Sequence, residues 1–147
     1  MKKELDNLFN LGIILKQNNI FRLNEKCIFI NDLKNILIKT DFIYFPIQKS
    51  FQGKKIKFAF VFGSFANGTY SMDSDVDLMV IGEIKLGEVY NILEPIEKVI
   101  KKDVNPVVWI VDNLIKEKET GFVKDIFKKK IIILKGDENE LRRIIKK

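Results

Sequence analysis

The sequence predicts an α/β fold in which helices flank a mixed β-sheet, preceded by a small helix–hairpin–helix unit. Three observations carry this. Lys57–Gly63 and Asp75–Ile81 are short runs apolar enough to lie at the centre of a sheet. From residue 57 onward, strand patterns alternate with helical ones, which is the arrangement of a sheet covered by helices. Ahead of them, two short alternating segments sit between two helical stretches, a different and more local pattern.

In chain order, residues 3–17 place Leu5, Leu8, Phe9, Leu11, Ile13, Ile14 and Leu15 at loosely helical spacing. Residues 19–23 and 26–30 read as strands of a hairpin turning at Asn24-Glu25. Asn31-Asp32 caps a helix running to about Thr40. Residues 41–56, with Pro46 and Gly53, read as a connection. The strand at Lys57–Gly63 is followed by a turn-rich segment, Ser64–Ser74, and then by the strand at Asp75–Ile81. Val89, Ile92, Leu93, Ile96 and Ile100 give Leu86–Lys101 helical periodicity, with a bend expected at Pro95. Val104–Val111 is a third strand that Pro106 confines to an edge or a bulge. Residues 112–129 are helical with a break near Gly121, and Ile131–Leu134 is a short strand. Asp137 caps a last helix, Glu140 completes a capping box, and Leu141, Ile144 and Ile145 face inward. The expected division is an N-terminal extension at 1–45 and a main domain at 46–147.

With 147 residues the chain can bury one sizeable core, and its 46% hydrophobic and 31% charged content is that of a globular protein. No apolar run approaches the ~20 residues of a membrane span, and carboxylates interrupt the N-terminal segment where a signal peptide would turn apolar, so the expected address is the cytoplasm. The single Cys27 permits no intrachain disulfide and reads as a small core residue. Histidine is absent. That excludes Ser-His-Asp and Cys-His catalysis and His-built zinc sites, and leaves oxygen ligands suited to hard ions such as Mg²⁺ or Mn²⁺. The net charge of +6 suits an anionic partner, but the positive charge is mostly Lys spread along the chain.

The informative stretch runs from Phe62 to Val80. Gly63 lets a phosphate approach the backbone, where successive N–H groups and the Ser64 hydroxyl can bond its oxygens. Ten residues beyond Ser64, Asp75 and Asp77 alternate on a strand, so their side chains share a face. A carboxylate pair on an otherwise apolar strand is costly unless solvated, bonded or metal-bound, and such a pair can hold two divalent ions. Gly63 and Gly68 have the spacing of a Walker loop, but Thr69 stands where that loop needs lysine. Asn67, Gly68, Ser71, Asp73 and Ser74 read as turn and capping residues.

Gly63-Ser64 followed by Asp75-x-Asp77 resembles the signature of the DNA-polymerase-beta-like nucleotidyltransferases, and Gly63-Ser64-x-Ala66-x-Gly68 with Ser74-Asp75-x-Asp77-Leu78 resembles their prokaryotic minimal members. The likeness covers about residues 57–147. It resembles in particular a subgroup often preceded by a winged-helix segment, of which 11–40 would be the remainder. The resemblance implies a nucleotidyltransferase fold, Mg²⁺ (or Mn²⁺) on Asp75 and Asp77, and a nucleoside triphosphate, ATP in the first place, gripped at Gly63-Ser64. It further implies transfer of a nucleoside monophosphate to an acceptor hydroxyl of a protein or small molecule, with release of pyrophosphate. Two departures stand out. Asn67 occupies a position that is often arginine, and Asn105 occupies that of a third carboxylate, with Asp103 two residues earlier as the candidate to replace it as the catalytic base.

Two rival readings differ in class. One is a nucleotide-binding, antitoxin-like partner of a small helical toxin, the partner being that protein or a second copy of the chain. The other is a DNA-binding regulator with a weak or inactive transferase domain. DNA binding ranks last, since the N-terminal unit has no clear recognition helix before its hairpin.

Overall fold

The computed structural model describes residues 2–18, 20–37, 43–71 and 74–146, and the chain divides into two compact units, 1–40 and 41–147. No helix among the described residues is long and apolar enough to cross a membrane.

The first unit contains α1 (Lys2–Asn10), the antiparallel pair β1 (Ile14–Gln17) and β2 (Ile20–Leu23), and α2 (Ile30–Leu37). Helix, hairpin and helix follow in the expected order, but the hairpin lies earlier than the sequence pattern suggests. Gly12, at φ +70°, ends α1, and the chain turns instead of continuing helical to residue 17. The strands then pair with Ile14 opposite Leu23 and Gln17 opposite Ile20, around Asn18, whose φ of +49° suits a tight turn. Asn24-Glu25 is not the hairpin turn. Asn24 instead fastens the hairpin's base, its side-chain amide donating to the Gly12 carbonyl at 2.7 Å and its N–H to Ile13. Cys27 therefore sits half-buried in a turn before α2, not on a strand. The end expected for α2, near Thr40, lies outside the described residues.

The second unit is built on a four-stranded sheet in the order β5-β4-β3-β6. Its strands are β3 (Ile56–Phe62), β4 (Val76–Gly82), β5 (Val104–Trp109) and β6 (Ile132–Lys135). β3 runs antiparallel to β4 and β6, and β4 parallel to β5, so the sheet is mixed. The expected connection at 41–56 holds a short helix, α3 (Phe45–Ser50). Pro46 in its first turn needs no N–H partner, and Ile47 and the following Phe51 are fully buried. α4 (Gly63–Asn67) follows β3 directly.

α5 (Leu86–Ile100) continues through Pro95, which lies on its exposed side, where water can reach the carbonyl that loses its partner. α6 (Val111–Glu117) and α7 (Gly121–Lys128) are separated because Thr120 caps α7, its hydroxyl accepting from Val123 N–H while donating to the Glu117 carbonyl at 2.6 Å. α8 (Glu138–Lys146) is capped by Asp137, which accepts from Glu140 N–H at 2.7 Å. The Glu140 carboxylate pairs with Lys57 at 2.8 Å.

Strand alternation sorts the core. Phe58, Phe60, Phe62, Met79 and Ile81 face one way and pack with Leu114 of α6, Val123 and Ile126 of α7 and Leu141 of α8. Ile144 and Ile145 pack against the same cluster. Ala59, Val61, Leu78 and Val80 are buried on the opposite face, and α5, which packs against β5 and α3, buries Val89, Leu93 and Ile96. Each large buried side chain contributes about 1.5–3 kcal/mol. Pro106 lies in β5, an edge strand, as its missing N–H requires.

Candidate active site

The carboxylates stand at the start of β4, one just ahead of it and one within it. Asp77 is half-buried and begins the same face that Met79 and Ile81 continue into the core; Asp75, just before the strand, is exposed. Across the antiparallel ladder Asp77 faces Phe62, the last residue of β3, and across the parallel ladder it faces Asn105. The two acids thus stand at the end of a central strand, between the end of β3 and the start of β5. Burial first, and the neighbouring Asp75 second, hold the Asp77 carboxyl above its ordinary pKa.

Gly63 has a φ of +69° and opens α4 directly beside this pair. A Cβ on Gly63 would fall on the Asp77 carboxylate, so the loop comes as close as glycine alone permits. Ser64, also at the start of α4, accepts at its carbonyl from the N–H groups of Gly68 and Thr69, which closes the helix. Gly68, at φ +79°, is the left-handed cap expected of a turn glycine. Ser71 and Ser74 bond one another through backbone and hydroxyls, again as turn residues. Asp73 lies outside the described residues.

Asn67 does more than make a turn. Its side-chain amide donates to the Gly63 carbonyl at 2.8 Å, and its side-chain oxygen accepts from Lys130 N–H at 3.2 Å. It therefore ties the glycine turn to the segment that leads into β6. Nothing in the local pattern of 62–80 signals a partner 63 residues away.

Asn105 shares the face of the acids and donates its amide to Asp75 Oδ2 at 3.1 Å. Asp103, two residues earlier, is exposed and precedes β5; its carbonyl accepts from Val76 N–H at 2.9 Å, which extends the ladder and sets its backbone beside Asp75. Among the described residues no three His, Cys, Asp or Glu side chains gather into a group that would hold a metal, so Asp103 does not join Asp75 and Asp77 in one. The donor set is a carboxylate pair with one amide neighbour. It suits a hard divalent ion, which would neutralise the repulsion that Asp77 feels from Asp75.

The same face carries an aromatic chain that composition did not reveal. Phe62 and Trp109 each meet Phe122 of α7 edge-on, with ring centroids 6.0 Å apart in both cases. Beside them a cavity of about 210 Å³ is lined by Phe62, Gly63, Phe122, Asp125, Ile126 and Lys129.

A family model described as "Polymerase beta, Nucleotidyltransferase" matches residues 46–139. No curated protein resembles the sequence closely enough to count as a match. Among solved structures, a chain from the crystal structure of a toxin–antitoxin with AMP-PNP shares 18% identity, with a TM-score of 0.52, covering 70% of this chain and 81% of that one. A chain from the complex of tri-AMPylated Shewanella oneidensis HEPN toxin with MNT antitoxin shares 13% identity at a TM-score of 0.48, covering 76% and 80%. A putative nucleotidyltransferase from Sulfolobus solfataricus shares 14% at 0.41, covering 69% and 83%. The first of these likenesses shows a common fold.

Proposed function

Because the chain belongs to the polymerase-beta nucleotidyltransferase family, we propose that it transfers the nucleoside monophosphate of a nucleoside triphosphate to an acceptor hydroxyl. The observation that carries this reading is the contact of Gly63 with Asp77, beside Asp75, which sets a glycine turn against a carboxylate pair at one strand end.

In this reading the backbone around Gly63 and Ser64 holds the triphosphate, and Asp75 and Asp77 hold Mg²⁺ or Mn²⁺. The bound ions supply charge neutralisation for the attacking and departing oxygens. The acceptor oxygen forms a bond to the α-phosphorus as the bond to the bridging oxygen of the β-phosphate breaks, and pyrophosphate leaves. Asp103, exposed and beside Asp75 in the ladder, takes the acceptor's proton. Asn105 orients Asp75 and adds no charge.

ATP is the nucleotide and a small helical protein the acceptor that this reading favours. The 0.52 TM-score relative, which comes from a toxin–antitoxin crystal with AMP-PNP, supports an adenine nucleotide and a protein partner; that the partner is small, helical and the acceptor is what the family resemblance implies. The same relative supports a second reading, in which the chain binds ATP and masks such a partner without modifying it.

The test is incubation with Mg²⁺ and α-labelled nucleoside triphosphates, with and without a small helical protein encoded beside this one. Label on the partner together with released pyrophosphate supports transfer, and its loss in Asp75→Asn and Asp77→Asn assigns it to this site. A stable complex with bound nucleotide and no label favours masking. Neither label nor nucleotide binding overturns both.

A further inference from the structure

We infer that the face of α7 that carries Phe122 forms the nucleoside subsite of this centre, with Phe122 as the surface on which the base stacks. The inference rests on the nucleotidyltransferase reading, since it assigns the other end of the same substrate.

The cavity begins at Gly63, where the triphosphate is placed, and continues along α7 past Phe122, Asp125, Ile126 and Lys129. Phe122, Asp125 and Ile126 stand at the i, i+3, i+4 spacing of one face of α7, and Lys129, the extended residue that ends the helix, closes the row, so one side of the cavity is built by α7 and its end. At about 210 Å³ the cavity is smaller than the ~300–1,000 Å³ of clefts that enclose a whole ligand, and it therefore accommodates one part of a nucleotide.

Its lining has the chemistry of a base site. Phe122 is 45% exposed although apolar, yet its ring is held in place by the edge-type contacts with Phe62 and Trp109. A fixed aromatic ring with open surface is what an unpaired base stacks on, and such stacking tolerates any base because every base has a π-face. Ile126 forms the apolar floor, while the exposed Asp125 and Lys129 give the rim one acceptor and one donor for ribose hydroxyls or exocyclic groups. Two further cavities among the described residues have Lys55, Gly82 and Asp112, and Lys57, Glu140 and Arg143, in their linings. Those residues include the far end of β4 and the start of α8, and neither cavity includes Gly63 or an acid of the pair.

The test compares two probes in the presence of Mg²⁺, a non-hydrolysable ATP analogue and inorganic tripolyphosphate, by titration calorimetry on the full chain. Phe122→Leu keeps apolar volume and removes the aromatic face; Phe122→Tyr keeps the face. The expected result is that Phe122→Leu weakens the ATP analogue about 10-fold or more and leaves tripolyphosphate unchanged, while Phe122→Tyr matches wild type. Equal affinity of wild type and Phe122→Leu for the ATP analogue overturns the subsite and leaves the parent reading standing. Equal loss of both probes in Phe122→Leu also overturns it, by showing a structural role. If the wild type binds neither probe, the parent reading fails and the subsite with it.

Discussion

Asn105 donates its amide to Asp75 at 3.1 Å, although the residue it faces across the parallel ladder is Asp77. The amide thus reaches the acid just ahead of β4 and brings no third charge to the pair. Replacing it by Asp puts a third carboxylate beside two that already interact. We expect Asn105→Asp to lower the stability of the metal-free protein by about 1 kcal/mol, a fall in Tm of about 4 °C. Mg²⁺ should then raise the Tm more in the variant than in the wild type. Thermal unfolding with and without Mg²⁺ checks both; a larger Mg²⁺ response in the wild type contradicts the account.

Asp77 gives a pH-dependent prediction whose sign is fixed by its environment. Burial, then Asp75, raise its pKa in the fold, so the folded state binds its proton more readily than the unfolded one. The stability it contributes is fullest below the ordinary carboxylate value and is lost as pH rises through the raised folded value. Asp77→Asn should therefore raise the Tm of the metal-free protein at pH 7, with the gain shrinking to nothing below about pH 4. The same change should abolish Mg²⁺-dependent nucleotide binding, as should Asp75→Asn. Unaltered nucleotide affinity in both variants sinks the metal assignment.

Gly63→Ala should be costly on two counts. The φ of +69° alone costs a non-glycine residue about 1–2 kcal/mol, and the new methyl must displace the Asp77 carboxylate. Urea unfolding should show the first, and a loss of Mg²⁺ affinity in the same variant the second. A variant as stable as wild type that still binds Mg²⁺ equally well would mean the loop does not press on Asp77.

Asp103→Asn tests the base. Its carboxylate is exposed, so the fold should survive, and the transfer rate should fall about 10²–10⁴-fold with triphosphate affinity little changed. Turnover that survives unchanged removes Asp103 from the mechanism.

Much of this arrangement was legible in the residues themselves. β3 and β4 are apolar runs with no competing reading, Pro106 marked an edge or a bulge and β5 is an edge, and Asp137 with Glu140 marked the start of α8. The acids and Gly63 were legible because alternation on a strand fixes which side chains share a face. The hairpin was misplaced because Asn18-Asn19 and Asn24-Glu25 are equally good turn sequences, and only pairing across β1 and β2 decides between them. α3 was missed because a six-residue helix has little local signal, and the burial of Ile47 and Phe51 sustains it. The partner of Asn67, and the meeting of α7 with Phe62 and Gly63, join residues far apart in sequence, where periodicity is silent.

Pro106 has a bearing on how copies of this protein behave in crowded solution. The bond from Val76 N–H to the Asp103 carbonyl sets the phase of the ladder, directing the N–H groups of odd-numbered β5 residues toward β4 and those of even-numbered ones outward. The proline thus removes a donor from the open edge, in the middle of the row that a strand from another molecule would have to match. The opposite edge, β6, has only four residues. A sheet rich in Phe, Val and Ile is thereby guarded against end-on growth into fibrils or amorphous precipitate, and a substitution such as Pro106→Val is where that guard fails first.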